Sequence, residues 1–273
     1  MESVRHFRLK ETVINMTQTE KRLALIRYLL AENSRFGRFE PEAMNEAEQK
    51  DLLRALMNVR LPAPLSEAFL RLQDDYLQQE IASRGVTKLE ALEPIADGLY
   101  LWQGDITTLS CDAIVNAANS QLLGCFHPLH NCIDNCIHTY AGLALRNACD
   151  ELMKKQGHEE PTGQAKITPA FNLPCRYVIH TVGPIVSGPL TPEHRALLRS
   201  CYRSCLTLAE ASGCQSLAFC CISTGVFGFP QTEAAQIAVS EVRTYQAETG
   251  SRIKVIFNVF RNEDKEIYES LLR

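Results

Sequence analysis

Near residue 90 the hydrophobic period of the chain changes, and that change limits the possible folds more than any other feature. Before it, apolar residues recur at helical spacing: Leu25, Ile26 and Leu29 within residues 20–30, Leu52, Leu53, Leu56 and Met57 within 45–59, and Phe69, Leu72 and Tyr76 within 65–81. The segment Arg60-Leu-Pro-Ala-Pro64 breaks the second stretch from the third. After residue 90, short apolar runs at 98–102, 113–116, 176–181, 216–222 and 252–260 read as strands. They alternate with helical patterns at 134–157, 192–211, 231–248 and 264–272. Such alternation predicts an α/β sheet covered by helices on both faces over residues 91–273. Residues 1–90 form a helical N-terminal extension, most simply a packing or lid unit.

Charge and cysteine usage narrow the class. Residues 1–100 carry 14 basic and 16 acidic side chains, and residues 101–273 carry the same numbers, so there is no basic arm or stripe for nucleic acid. No apolar run reaches membrane-spanning length, and Met1–Arg8 lacks the apolar core of a signal peptide, so the expected setting is cytoplasmic. All eleven cysteines lie between Cys111 and Cys221, an odd number crowded into part of a long chain. That is not a secreted disulfide framework. Cys205, Cys220 and Cys221 fall in apolar patterns and read as small buried hydrophobes, as do Cys136 and Cys149 on their helix.

The loop Gly124-Cys-Phe-His-Pro-Leu-His-Asn-Cys-Ile-Asp134 is different. It gathers thiols, imidazoles and a carboxylate in a polar, proline-containing stretch, and these are the donors of a soft-to-borderline divalent metal. It follows Asp112-Ala-Ile-Val-Asn-Ala-Ala-Asn119, a buried strand that ends in carboxamides, and it leads into a helix for which Asp134 is the expected N-cap. A second loop, Ser223-Thr-Gly-Val-Phe-Gly-Phe229, joins a strand to a helix. Gly225 and Gly228 let its backbone approach a ligand, and its amides are free to wrap a pyrophosphate. In an α/β sheet both loops lie beyond the carboxyl ends of the strands, where ligands bind. His180, inside a strand, reads as a core histidine.

Taken in order, Gly104-Asp-Ile-Thr107, Asp112 to Asn119, Ile133-Asp-Asn-Cys-Ile-His138 with Ala141-Gly142, Thr162 to Thr168, Tyr177 to Pro184 and Ile222 to Pro230 resemble a macrodomain, the ADP-ribose-binding fold. The resemblance covers residues 95–273 and implies a three-layer α/β/α sandwich. It implies that Asp105 holds the adenine amino group with Ile106 beside the ring. Asn119 would bind the distal ribose, and Ser223, Thr224, Gly225, Val226, Phe227, Gly228 and Phe229 would cradle the phosphates. Where most macrodomains carry a glycine-rich stretch, this chain has the Cys125 loop, and in that it resembles the zinc-containing subfamily that removes ADP-ribose from proteins. Cys125, His130 and Cys132, spaced C-x4-H-x-C, are the expected ligands of one Zn2+ per chain; His127 could replace one of them, and His138 could approach from the helix. With Asn119 on the ribose, Asp134 becomes the expected general base. Two alternatives use the same residues: a non-catalytic reader of ADP-ribosylated proteins with a structural zinc, and a hydrolase of small ADP-ribose esters. Either way the expected partners are ADP-ribosylated protein and free ADP-ribose, not sequence-specific nucleic acid or membrane.

Overall fold

The computed structural model describes residues 16–32 and 39–273. The beginning of the helical extension, including the leading Met1–Arg8, lies outside the described residues. Among the described residues three α-helices come first: α1 (Gln18–Glu32), α2 (Glu46–Val59) and α3 (Glu67–Arg84). Asn45 and Glu48 close a capping box at the start of α2, and Ser66 caps α3 by accepting from Phe69 N. Their apolar stripes meet in a small core of Leu25, Ile26, Leu53, Leu56, Phe69 and Leu77. Leu143 from the following unit completes that core, so α1–α3 are docked rather than free-standing.

Beyond them the chain runs β1 (Thr87–Lys88), β2 (Pro94–Ala96), β3 (Leu99–Gln103), β4 (Leu109–Ser110), β5 (Ala113–Ala118), α4 (Ile133–Ala141), α5 (Leu143–Gln156), β6 (Ala165–Pro169) and β7 (Tyr177–Val182). It ends with α6 (Pro192–Ala211), β8 (Ser216–Phe219), α7 (Gln231–Thr249), β9 (Lys254–Val259) and α8 (Asn262–Leu272). Seven strands form one sheet in the order β2-β3-β9-β8-β5-β7-β6, and β1 pairs β4 beside it. The five central strands are parallel, and the edge strands β2 and β6 are antiparallel. One helix group, α6–α8, and a second, α4 and α5, sandwich the sheet, and the second group also meets the N-terminal helices. The sandwich expected from the alternation is therefore present, and its central strands are mostly apolar because both faces are covered, with Asn116, His180, Thr181 and Asn258 as buried polar exceptions.

Three local expectations are corrected. The helix expected over 134–157 is two helices, because Gly142 adopts φ 90° between them and a residue with a side chain there would drive into Gln73. Its cap is Cys132, whose sulfur accepts from Asn135 N at 3.4 Å; Asp134 lies inside the first turn. The strand expected over 216–222 stops at Phe219, where the chain turns toward the Ser223 loop.

Candidate active site

Because β3, β9, β8 and β5 are parallel neighbours, their carboxyl ends deliver Gly104, Phe260, Cys220 and Asn119 to one edge of the sheet. A cavity of about 620 Å³ opens there. At one end Asp105 starts a short turn: its Oδ1 accepts from Thr107 N (2.9 Å) and Thr107 Oγ1 (2.6 Å), and its Oδ2 pairs with Arg84 of α3. Ile106 lies beside it on the cavity wall. The second wall is the 223–227 stretch. Ser223 takes φ 65°, a left-handed conformation that costs a non-glycine residue on the order of 1 kcal/mol. Ser223 Oγ is buried without a hydrogen-bond partner, so the loop is shaped for something other than its own satisfaction. Gly228 and Phe229, which the resemblance places with the phosphates, do not line the cavity. Phe229 is 2% exposed and packs in the main core.

At the far end the cavity reaches Asn131, Cys132 and Ile133. Here the metal-competent loop folds so that donor atoms of Cys125, His130 and Cys132 lie within 4.8 Å of one another, with Cys125 Sγ 3.6 Å from His130 Nδ1. Burial pushes the Cys132 thiol up to about 12, and the neighbouring Cys125 and Asp134 push the same way. A cation bound here would displace the thiol protons and supply the positive charge that burial withholds from the thiolates, so this soft donor set fits a zinc-type ion. Among the described residues His127 joins no donor group; its ring stands edge-on to His130 at 5.5 Å. His138 belongs to a separate, fully buried group with Cys149 and His180. Neither ring nitrogen makes a hydrogen bond, although Nε2 stands 3.6 Å from Asp134 Oδ1, and burial drives its pKa well below the usual histidine value.

Asp134 lies beneath this loop, 5% exposed. Its Oδ1 accepts from Asn116 Nδ2 at 2.8 Å, and Asn119 Nδ2 is 3.5 Å from its Oδ2. Burial raises the carboxyl pKa to about 6, against the lowering effects of the Asn116 hydrogen bond and of Arg146. Asn119 also donates to Gly124 O at 3.1 Å, which ties the strand end to the loop. Neither Asp134 nor Asn119 forms part of the cavity wall; both sit just behind it.

Sequence patterns left out several wall residues. Cys136 and Tyr140 line the cavity from α4, one and two turns after Cys132, so Cys136 faces the site rather than the core. The spacing of four between Cys132, Cys136 and Tyr140 is a signal for a shared helix face. Arg54 reaches the wall from α2, and Phe260 and Asp264 come from the β9–α8 junction.

A family model described as Macro domain matches residues 115–238. The protein-ADP-ribose hydrolase of Treponema medium is 55% identical over 262 residues, which span 94% of this chain and 100% of that protein. The protein-ADP-ribose hydrolase of Staphylococcus aureus (strain MRSA252) is 51% identical over 221 residues, 80% of this chain and 83% of that one. Among solved structures, a Trypanosoma brucei macrodomain in complex with ADP-ribose superposes with a TM-score of 0.63 at 32% identity, covering 81% of this chain and 95% of that one.

Proposed function

This chain belongs to the macrodomain family, and we propose that it is a hydrolase that removes mono-ADP-ribose from modified protein side chains. The observation that carries the proposal is the buried Asp134 set directly beneath a cluster of metal donors at one end of a nucleotide-sized cavity. In this reading Asp105 and Ile106 take the adenine and the amides of the 223–227 loop take the pyrophosphate. Asn119, behind the wall and bonded to Gly124 O, takes the distal ribose only once that loop contact yields to the ligand. The scissile bond then lies at the Cys132 end of the cavity. Asp134, with a pKa near 6, is ionised at neutral pH yet basic enough to accept a proton from the attacking water. The water oxygen joins the ribose carbon, the bond to the protein side chain breaks, and the proton passes to the departing atom. Asn116 and Asn119 hold the carboxylate in place through that transfer. Cys125, His130 and Cys132 would hold a zinc ion, which when bound supplies Lewis-acid polarisation of an oxygen at the reacting centre.

The reading treats residues 91–273 as the catalytic macrodomain and 1–90 as a helical extension. It sets the activity in the cytoplasm, the setting expected from an odd number of cysteines crowded between Cys111 and Cys221. No helix among the described residues is long and apolar enough to cross a membrane.

The test pairs metal content of protein purified without added metal with release of ADP-ribose from an automodified transferase, before and after chelation. Near-stoichiometric zinc and chelator-sensitive release are expected. Bound zinc with no release on any linkage would favour a reader module, and release from metal-free protein would remove zinc from the mechanism.

A further inference from the structure

The α2 helix belongs to the N-terminal unit, yet two of its side chains end on the metal-competent loop. Arg54 Nη2 donates to His130 O at 2.7 Å and to Asn135 Oδ1 at 3.0 Å. One helical turn later, Asn58 Oδ1 accepts from Leu129 N at 3.1 Å, and its Nδ2 donates to Thr139 Oγ1 at 3.0 Å. Asn135, wholly buried, relays the grip. With its oxygen held by Arg54, its amide nitrogen faces the loop and donates to Cys125 O (3.3 Å) and His127 O (3.0 Å). Four backbone groups of one six-residue stretch, at residues 125, 127, 129 and 130, are therefore fixed by two α2 side chains and one α4 side chain.

That stretch needs such a grip. It has no helix or strand of its own, only a turn closed by His130 N donating to His127 O at 3.3 Å, and Leu129 sits at φ 58°, a conformation that a β-carbon disfavours. Cys125 and His130 are five residues apart, so their donor atoms stay within ligating distance only while the intervening backbone is held in its turn. Ligands must be set by the groups around them as much as by their own identity.

We propose that Arg54 and Asn58 are positioning residues that pre-organise the Cys125–Cys132 donor set, which makes the N-terminal helical unit part of the catalytic machinery. The proposal rests on the metal-dependent reading of the loop. Arg54 is suited to the task because one guanidinium nitrogen carries two protons and satisfies two acceptors at once. Asn58, which is 1% exposed and does not line the cavity, acts on the loop without touching bound nucleotide.

The experiment uses full-length protein and the variants Arg54→Ala, Arg54→Lys and Asn58→Ala. Zinc affinity is measured by competition with a chromophoric chelator, ADP-ribose affinity by calorimetry, and amide hydrogen exchange over residues 124–132 in metal-free protein. Thermal unfolding checks that each variant folds. Both alanine variants are expected to weaken zinc binding at least ten-fold and to speed loop exchange, with ADP-ribose affinity within about three-fold for Asn58→Ala. The lysine variant, which keeps the charge but not the fork, should fall between wild type and Arg54→Ala. Wild-type zinc affinity and unchanged loop exchange in folded Arg54→Ala and Asn58→Ala would overturn the proposal. If wild-type protein takes up no zinc while loop exchange still accelerates in the variants, the metal reading fails and the clamp on the loop stands.

Discussion

His180 gives the sharpest quantitative test of how the site is supported. It lies on β7 with no exposed surface, and its Nδ1 is 3.2 Å from Asn116 Nδ2 while its Nε2 is 3.0 Å from Thr168 Oγ1. Asn116 Nδ2 also donates to the Asp134 carboxylate, so the Asn116 amide cannot turn over without losing that bond. The ring must therefore be neutral, with Nδ1 accepting and Nε2 carrying the proton. Protonating Nδ1 would set two donors against each other in a dry interior, and burial accordingly pushes the pKa from 6.5 down to about 3. Because the folded value lies below the unfolded one, the unfolded chain binds more protons between pH 6.5 and 3. Stability from this residue is complete above pH 6.5 and is lost as the solution is acidified. At about 1.36 kcal/mol per pH unit, the loss reaches about 2 kcal/mol by pH 5 and about 5 kcal/mol below pH 3. The assay is urea unfolding of wild type and His180→Asn at pH 7.5 and pH 5. Asparagine keeps an acceptor near Nδ1 but does not titrate. Its stability at pH 7.5 should be lower by about 1–3 kcal/mol for the lost Thr168 bond and the vacated volume. Its drop between the two pH values should be smaller than that of wild type by about 2 kcal/mol. His138, whose pKa the His180 charge also lowers, is relieved in the variant and widens the difference in the same direction, so equal drops would refute the buried neutral imidazole.

Gly183→Ala should weaken ADP-ribose binding at least ten-fold by calorimetry, because its β-carbon would overlap Ser223 Oγ and come within 2.9 Å of Ile222 Cγ2, displacing the 223–227 loop at its root; unchanged affinity would mean that this loop does not bind the phosphates. Cys125→Ala should abolish ADP-ribose release and metal retention while leaving ADP-ribose binding measurable, and full turnover in that variant would refute the role of the donor set. Gly142→Ala should destabilise the fold by about 1–3 kcal/mol in denaturant titrations, since φ 90° strains a side chain and its β-carbon would meet Gln73 Nε2 at 2.5 Å; a wild-type midpoint would show that the junction of α4 and α5 relaxes without cost.

What the amino-acid pattern revealed, and what it hid, follow from the range of the interactions concerned. The strands β5, β7 and β9 were legible because parallel strands covered on both faces are predominantly apolar, and α2, α6 and α7 because an amphipathic stripe is a local property. The edge strand β6, Ala165-Lys-Ile-Thr-Pro169, went unrecognised because an edge tolerates proline and charge and shows no such run. The cap at Cys132 was hidden because a thiol is not among the usual capping acceptors, although its sulfur here does that work for Asn135 N. The donor loop stood out for the opposite reason: its residue types have few uses in a proline-containing turn other than chemistry.

Arg54 and Asn58 illustrate a different kind of concealment. On α2 they lie next to Leu53 and Met57 and look like the ordinary polar border of a helix that buries its other face. Their acceptors and donors lie more than seventy positions away along the chain, so no local period could mark them. The same holds for Arg84, which closes on Asp105 and stacks 3.9 Å above the Tyr140 ring that lines the cavity. Helices that look like an appendage in the sequence thus supply contacts at two places around the cavity: Arg84 at Asp105, and Arg54 and Asn58 at the Cys125–Cys132 loop. A set of soft donors can be written into the eight residues from Cys125 to Cys132, but the backbone geometry that brings them together is held from a neighbouring unit. Changes to the helical extension should accordingly alter the site before they alter the stability of the sheet.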